Sequence, residues 1–115
     1  MNTGLCDMNE INRIFLELIK EKLSTNQYIE LILHGNSMLP TFISGETIRI
    51  HKKNDYKIGD IIAYYIILNE KIMIIIHRLI FVRKQYVLTK GDNNVIIDPY
   101  KIPVGNILGI VENKM

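Results

Sequence analysis

The N-terminal part of the chain repeats its apolar residues at intervals of three and four positions, with charged residues between them. Because 3.6 residues complete one helical turn, this spacing predicts an amphipathic helix of about four turns over residues 8–23. The predicted apolar stripe consists of Met8, Ile11, Ile14, Phe15, Leu18, Ile19 and Leu23. The mixed charge of the opposite face favours packing on the domain itself, with a partner protein or a membrane surface as the alternatives.

After Asn26 the pattern changes to short apolar runs, rich in isoleucine, that are separated by glycine and asparagine. Branched residues fit a pleated surface, so these runs predict strands over residues 28–34, 46–51, 60–68, 71–82, 85–90 and 107–112. Polar pairs at Asn69-Glu70 and Arg83-Lys84 predict hairpin turns. The fold class is therefore mainly β: a coiled antiparallel sheet or small barrel with one N-terminal amphipathic helix.

The length of 115 residues allows one domain with a real core. We expect residues 1–27 to form the helix and a linker, packed on or beside the core, and residues 28–115 to form the β-rich domain. A net charge of +2, with cations scattered among acidic residues, excludes binding dominated by nucleic-acid phosphates.

The chain shows neither a secretory leader nor an apolar run of the roughly 20 residues that span a bilayer. Its single cysteine, Cys6, has no partner for a disulfide, which is typical of a bystander thiol in a reducing compartment. These features predict a cytoplasmic protein, either free or attached peripherally to a membrane.

A polar turn between the first two predicted strands holds the first candidate for chemistry, Ser37. Gly35 permits unusual backbone angles beside it, and Pro40 stiffens the exit of the turn. Most serines in turns only bond their own backbone, so a base must lie nearby before Ser37 counts as a nucleophile. His77 is the histidine that we select as the candidate base, because it interrupts a run of isoleucines. An imidazole without a polar partner there would cost a few kcal/mol of stability.

Two carboxylates, Asp92 and Asp98, follow the strand predicted over residues 85–90. Turn chemistry alone would explain both, but a carboxylate that accepts the Nδ1 proton of a histidine would complete a Ser-His-Asp triad. The histidines show no metal-ligand spacing, and this chemistry requires neither a metal nor another cofactor.

Four short motifs, taken together, resemble the signal peptidase I family of serine peptidases. The nucleophile box G-x-S-M-x-P-T of that family stands at residues 35–41, and a Gly-Asp pair follows at residues 59–60. The base box appears as His77-Arg78, and the acidic box as Gly91 to Asn94 with Asp98 beyond. Histidine as the base is typical of the endoplasmic-reticulum, archaeal and some spore-former members, whereas most bacterial members carry lysine.

The resemblance implies a role for each matching residue. Ser37 would be the nucleophile, His77 the general base and Asp98 the third member of the triad. Asp92 would be a supporting carboxylate, paired with Arg78. The oxyanion loop would comprise Gly35, Asn36 and Ser37, and the candidates for substrate contact are Met38 and Leu39.

The implied activity is that of a serine endopeptidase that takes an extended peptide or precursor protein as substrate and removes a leader in the cytoplasm. A membrane-associated enzyme that processes exported preproteins is the first alternative. The others are a repressor-type autoprotease, which would use a lysine base and carry a DNA-binding domain, and a module that binds peptides without cutting them.

Overall fold

The computed structural model describes residues 9–113, and within this range it contains one α-helix, one short 3-10 helix and eight strands. The elements, in chain order, are β1 (Asn9–Ile11), α1 (Arg13–Ser24), β2 (Tyr28–Ile32), β3 (Thr47–His51), β4 (Ile61–Leu68), β5 (Lys71–Val82), β6 (Tyr86–Lys90), β7 (Ile102–Pro103), the 3-10 helix (Val104–Asn106) and β8 (Ile107–Asn113).

The strands form one antiparallel sheet in the order β2-β3-β8-β4-β5-β6-β7, and β1 pairs with one end of β5. This confirms the prediction of a mainly β fold with an antiparallel sheet. The sheet is open and is not closed into a barrel. As a result, β2 forms an edge of the sheet and leads directly into the segment that contains Ser37.

Both faces of the long strand β5 are buried along most of its length. Ile72, Ile74 and Ile76 belong to a first core cluster, which also contains residues of α1. Met73 and Ile75 face the opposite way, into a second core cluster. A strand that is covered on both faces reads as a continuous apolar run, which explains the string of isoleucines in the sequence.

The alternation of side chains along β5 decides the surroundings of His77. Its partner across the β4–β5 pair is Ile62, which belongs to the second core cluster. Tyr64 on β4 and Thr89 on β6 pair with β5 residues of the same cluster, Ile75 and Leu79 respectively. Adjacent strands therefore present Tyr64, His77 and Thr89 to one face.

Helix α1 differs from the prediction in its start and in its buried face. It begins at Arg13 rather than at residue 8, because the side chain of Asn12 accepts a hydrogen bond from the Phe15 N–H at 2.7 Å and so caps the helix. The residues just before this cap, Asn9–Ile11, form β1 instead. Met8, the first residue of the predicted stripe, lies outside the described residues, as does Cys6.

The face of α1 that packs on the sheet agrees with the predicted stripe at Ile19 and Leu23, but it includes Leu16, which the stripe omitted. Leu16, Ile19 and Leu23 are buried, whereas Ile14 is 73% and Leu18 57% exposed. Two apolar series with helical spacing run along this helix, and docking on the sheet buried the one that includes Leu16. The helix and the sheet share the first core cluster.

The strands predicted after the helix are all present, whereas β7 and the 3-10 helix were not predicted. β5 has the predicted bounds, and the other predicted strands shift by one or two residues at their ends. Asn69 and Glu70 form the turn between β4 and β5, with φ values of 50° and 68°. Arg83 begins the next turn, where its N–H donates to the Tyr86 carbonyl at 2.9 Å. Within residues 9–113, no helix has the length and apolar character needed to cross a membrane.

Candidate active site

The segment between β2 and β3 carries Ser37 in a tight turn. Gly35 adopts a φ of 97°, a conformation that favours glycine, and its N–H donates to Ser44 Oγ at 3.0 Å. The N–H of Leu39 donates to the Asn36 carbonyl at 3.2 Å, which closes the turn around the serine. The backbone thus fixes the position of Ser37.

The imidazole of His77 lies between Ser37 and Asp98. Its Nε2 atom is 2.9 Å from Ser37 Oγ, and its Nδ1 atom is 2.5 Å from Asp98 Oδ2. A carboxylate can only accept, so Nδ1 carries the ring proton and Nε2 is left to accept the proton of the serine hydroxyl. The polar partners that an imidazole in this apolar strand requires are therefore both present.

The three groups lie just below the surface. Ser37 and His77 are each 6% exposed, and the side chain of Asp98 is 11% exposed. Asn36, next to Ser37, and Asn93, in the loop that follows β6, are exposed. The hydroxyl is thus close to solvent but sits in a partly dehydrated environment, where charge interactions are stronger than in water.

Asp98 receives further hydrogen bonds from residues that the sequence analysis did not select. Thr89 Oγ1 donates to Asp98 Oδ2 at 2.7 Å, and the hydroxyl of Tyr64 lies 2.9 Å from Thr89 Oγ1 and 3.4 Å from Asp98 Oδ2. Burial, and then the charge of Asp98, raise the pKa of the Tyr64 phenol. The signal available in the sequence was the strand alternation, which places Tyr64 and Thr89 on the same face as His77.

Asp92 is occupied by a different partner. Its carboxylate accepts two hydrogen bonds from Arg78, at 2.7 and 2.8 Å, and a third from Thr41 Oγ1 at 2.5 Å. The hydrogen bonds from Arg78 lower the pKa of Asp92, and the same contact raises the pKa of Arg78. Because Arg78 also donates to the Gly59 carbonyl at 2.7 Å, this pair ties three loops together.

The loop that follows β6 packs directly against the serine turn. The N–H of Asn93 donates to the Ser37 carbonyl at 2.7 Å, and its side-chain amide donates to the Asn36 carbonyl at 3.1 Å. A Cβ atom on Gly91 would lie only 2.8 Å from the Ser37 carbonyl oxygen. Glycine at position 91 thus permits the close approach of the two loops.

The structure separates the two residues predicted to contact substrate. Met38 is 1% exposed and belongs to the first core cluster, where its sulfur accepts a hydrogen bond from the Asp92 N–H at 3.4 Å. Core packing therefore accounts for Met38. Leu39 is half-buried at the surface of the same turn.

Among residues 9–113, the other histidines and the acidic residues form no metal centre. His51 pairs with Glu112 across β3 and β8. In the described part of the chain, no three residues among His, Cys, Asp and Glu come together as a set able to hold a metal ion. The geometry around Ser37 is instead suited to the activation of a hydroxyl by a neighbouring base.

The chain shares sequence similarity with known proteins. The sequence matches the family described as "Peptidase S24-like" over residues 3–111. It is also similar to proteins named "Signal peptidase complex catalytic subunit SEC11". The protein from Candida tropicalis is 39% identical over 75 residues, covering 61% of this chain and 43% of the relative. The protein from Ogataea parapolymorpha is 33% identical over 95 residues, covering 70% of this chain and 52% of the relative.

The chain spans about half the length of the curated relatives that it matches. No solved structure matches the chain.

Proposed function

Because the chain belongs to the peptidase S24-like family, we propose that it is a serine endopeptidase with Ser37 as nucleophile and His77 as general base. The observation that carries the proposal is the 2.9 Å distance between Ser37 Oγ and His77 Nε2. A nucleophile and its base must lie within hydrogen-bond reach, about 2.6–3.2 Å, and the base must in turn be oriented by a third group. Asp98, 2.5 Å from His77 Nδ1, is that group.

The reaction begins when a peptide carbonyl reaches Ser37. His77 Nε2 takes the hydroxyl proton as Ser37 Oγ forms a bond to the carbonyl carbon, and Asp98 stabilises the imidazolium that results. His77 then gives this proton to the leaving amine, which departs and leaves an ester on Ser37. A water molecule, deprotonated by His77, attacks the ester and releases the acid product.

The developing oxyanion requires hydrogen-bond donors in the serine turn. We assign this role to the backbone N–H of Ser37, in the loop formed by Gly35, Asn36 and Ser37. One such donor contributes about 3 kcal/mol to transition-state stabilisation in other serine peptidases.

The substrate that fits this sheet is an extended peptide. β2 forms an edge of the sheet, and the chain runs from its end into the serine turn. An extended peptide can add to an edge strand through backbone hydrogen bonds, and this pairing would lead the peptide toward Ser37. Removal of a leader from a precursor peptide or protein is the activity that we propose.

The similarity to signal peptidase subunits favours a second candidate for the substrate, an exported preprotein. A repressor-type autoprotease fits less well, because the group beside Ser37 is a histidine and not a lysine. A module that only binds peptides would need neither the serine–histidine contact nor the carboxylate behind it.

The test is cleavage of two sets of synthetic precursors, followed by mass spectrometry. One set carries polar leaders and the other carries apolar signal segments, each with small residues before the cut. We expect Ser37→Ala and His77→Ala to abolish cleavage, while Ser24→Ala, a serine on the exposed end of α1, keeps full activity. Preference for the polar leaders supports leader removal, and preference for the apolar segments supports the exported preproteins.

Undiminished cleavage by Ser37→Ala would refute the proposed mechanism. The pH profile is a second check, since an imidazole base loses its proton near pH 6.5 in model peptides and a lysine near pH 10. A rate that continues to climb toward pH 10 would replace His77 with a lysine as the base.

A further inference from the structure

Asp98 Oδ2 is the meeting point of several hydrogen-bond donors. His77 Nδ1 lies 2.5 Å from it, Thr89 Oγ1 lies 2.7 Å from it, and the Tyr64 hydroxyl is 3.4 Å away. Thr89 and Tyr64 are both 0% exposed. No water can therefore replace either hydroxyl without entering the core.

The direction of these hydrogen bonds follows from the chemistry of the groups. A carboxylate only accepts, so the Thr89 hydroxyl donates its single proton to Asp98. Its oxygen is then free to accept from the Tyr64 hydroxyl, 2.9 Å away. The raised pKa of Tyr64 means that the phenol keeps its proton through the neutral range. The result is an ordered series of donors that runs from Tyr64 through Thr89 to Asp98.

Asp98 has a particular need for such support, because it does not belong to a strand. The loop before it carries three successive apolar residues at the surface: Val95 is 94%, Ile96 77% and Ile97 47% exposed. The backbone contact that connects Asp98 to the sheet is the bond from its N–H to the Thr89 carbonyl at 2.9 Å. Thr89, a buried residue near the end of β6, thus holds both the backbone and the side chain of Asp98.

We propose that Thr89 and Tyr64 are positioning residues for the peptidase reaction: their hydroxyls hold the Asp98 carboxylate in contact with His77 Nδ1. This inference rests on the proposed function. Without the two hydroxyls, the carboxylate would be free to rotate away from the imidazole. His77 would then lose the partner that sets its tautomer, and Ser37 would lose an oriented base.

Substitution at position 89 separates a positioning role from a packing role. Thr89→Val keeps the shape of the side chain and removes the hydroxyl, whereas Thr89→Ser keeps the hydroxyl and removes a methyl group. We expect Thr89→Val to lower kcat roughly 10- to 100-fold with little change in KM, the scale of one hydrogen bond to a charged group. Thr89→Ser should stay within about threefold of the unsubstituted protein.

The opposite ranking, with Thr89→Val active and Thr89→Ser impaired, would show that Thr89 serves packing and would overturn the proposal. Tyr64→Phe supplies an independent arm, because it removes the outer hydroxyl and keeps the ring. Its matched control is Tyr65→Phe, on the opposite face of β4. We expect a loss of kcat in the first variant and none in the second, and equal rates in both would remove Tyr64 from the series.

A spectroscopic readout keeps this inference distinct from the proposed function. The Nδ1 proton of an imidazole that is held by a carboxylate gives a far-downfield proton NMR signal. We expect this signal of His77 in the unsubstituted protein and in Thr89→Ser, and its loss in Thr89→Val. If no peptide is cleaved by any variant, the proposed function fails, and the NMR signal still decides whether Thr89 positions Asp98. Persistence of the signal in Thr89→Val would overturn the inference.

Discussion

Substitution of Gly91 by alanine tests whether the contact between the loop that follows β6 and the serine turn sets the position of the nucleophile. The added Cβ atom would lie 2.8 Å from the Ser37 carbonyl oxygen, 3.0 Å from Ser37 Cβ and 2.7 Å from the Asn94 side-chain amide. The amide is the end of a flexible side chain and can move aside. The carbonyl is backbone and is also held by the Asn93 N–H at 2.7 Å, so the whole turn must retreat.

The size of the effect follows from these distances. Ordinary van der Waals contact requires Ser37 to withdraw by about half an ångström. The distance between Ser37 Oγ and His77 Nε2, now 2.9 Å, would then approach the limit of a hydrogen bond. Misplacement of reacting groups on this scale costs roughly 10- to 100-fold in rate, or about 1.4–2.7 kcal/mol of barrier. Overpacking should also cost about 1–3 kcal/mol of stability.

The assay is kcat/KM for a cleaved precursor, measured beside thermal unfolding of the same preparation. Gly105→Ala is the matched control, because a Cβ atom at that position would meet nothing within 4 Å. We expect the control to be fully active and Gly91→Ala to be folded but slow. A Gly91→Ala variant with unchanged kcat/KM would show that the loop contact does not position Ser37.

Three further predictions concern other parts of the molecule. Asp98→Asn should lower kcat by roughly 10²- to 10⁴-fold, because the amide no longer stabilises an imidazolium. Asp92→Asn should lower kcat less. The reverse ranking in cleavage assays would exchange the roles of the two aspartates. The pKa of Asp92 is lowered in the folded state, so its stabilising effect is present above the unfolded value near pH 4 and is lost as pH falls through the folded value. Urea unfolding should therefore show a smaller loss of stability in acid for Asp92→Asn, and identical pH profiles would contradict this. Leu16→Ala should cost about 2–4 kcal/mol of unfolding free energy, while Leu18→Ala should change it by less than about 0.5 kcal/mol; equal losses would mean that α1 packs through another face.

The sequence was sufficient for the type and order of most elements. A run of branched residues predicted β5 with its observed bounds, and polar pairs predicted the hairpin turns that border it. The sequence also offered Ser37 and His77 as candidates, the first through the resemblance of residues 35–41 to a nucleophile box and the second because an imidazole in an apolar strand requires polar partners.

The sequence did not determine which face of the N-terminal helix is buried. Two apolar series with helical spacing run along α1, and each satisfies the same periodicity. Only contact with the first core cluster selected the series with Leu16 and left Ile14 at the surface. The apolar pattern also allowed an earlier start of the helix, but the Asn12 cap sets the start at Arg13.

The partners of the two aspartates were also decided in three dimensions. Asp92 and Asp98 lie six positions apart in one loop, and turn chemistry alone would explain both residues. The tertiary structure brings Arg78 to Asp92, and His77 and Thr89 to Asp98. Arg78 and His77 both come from β5, 14 and 21 positions before their partners. The local sequence pattern indicates the secondary structure and the turns of a segment. Contact between two side chains depends instead on how separate strands align.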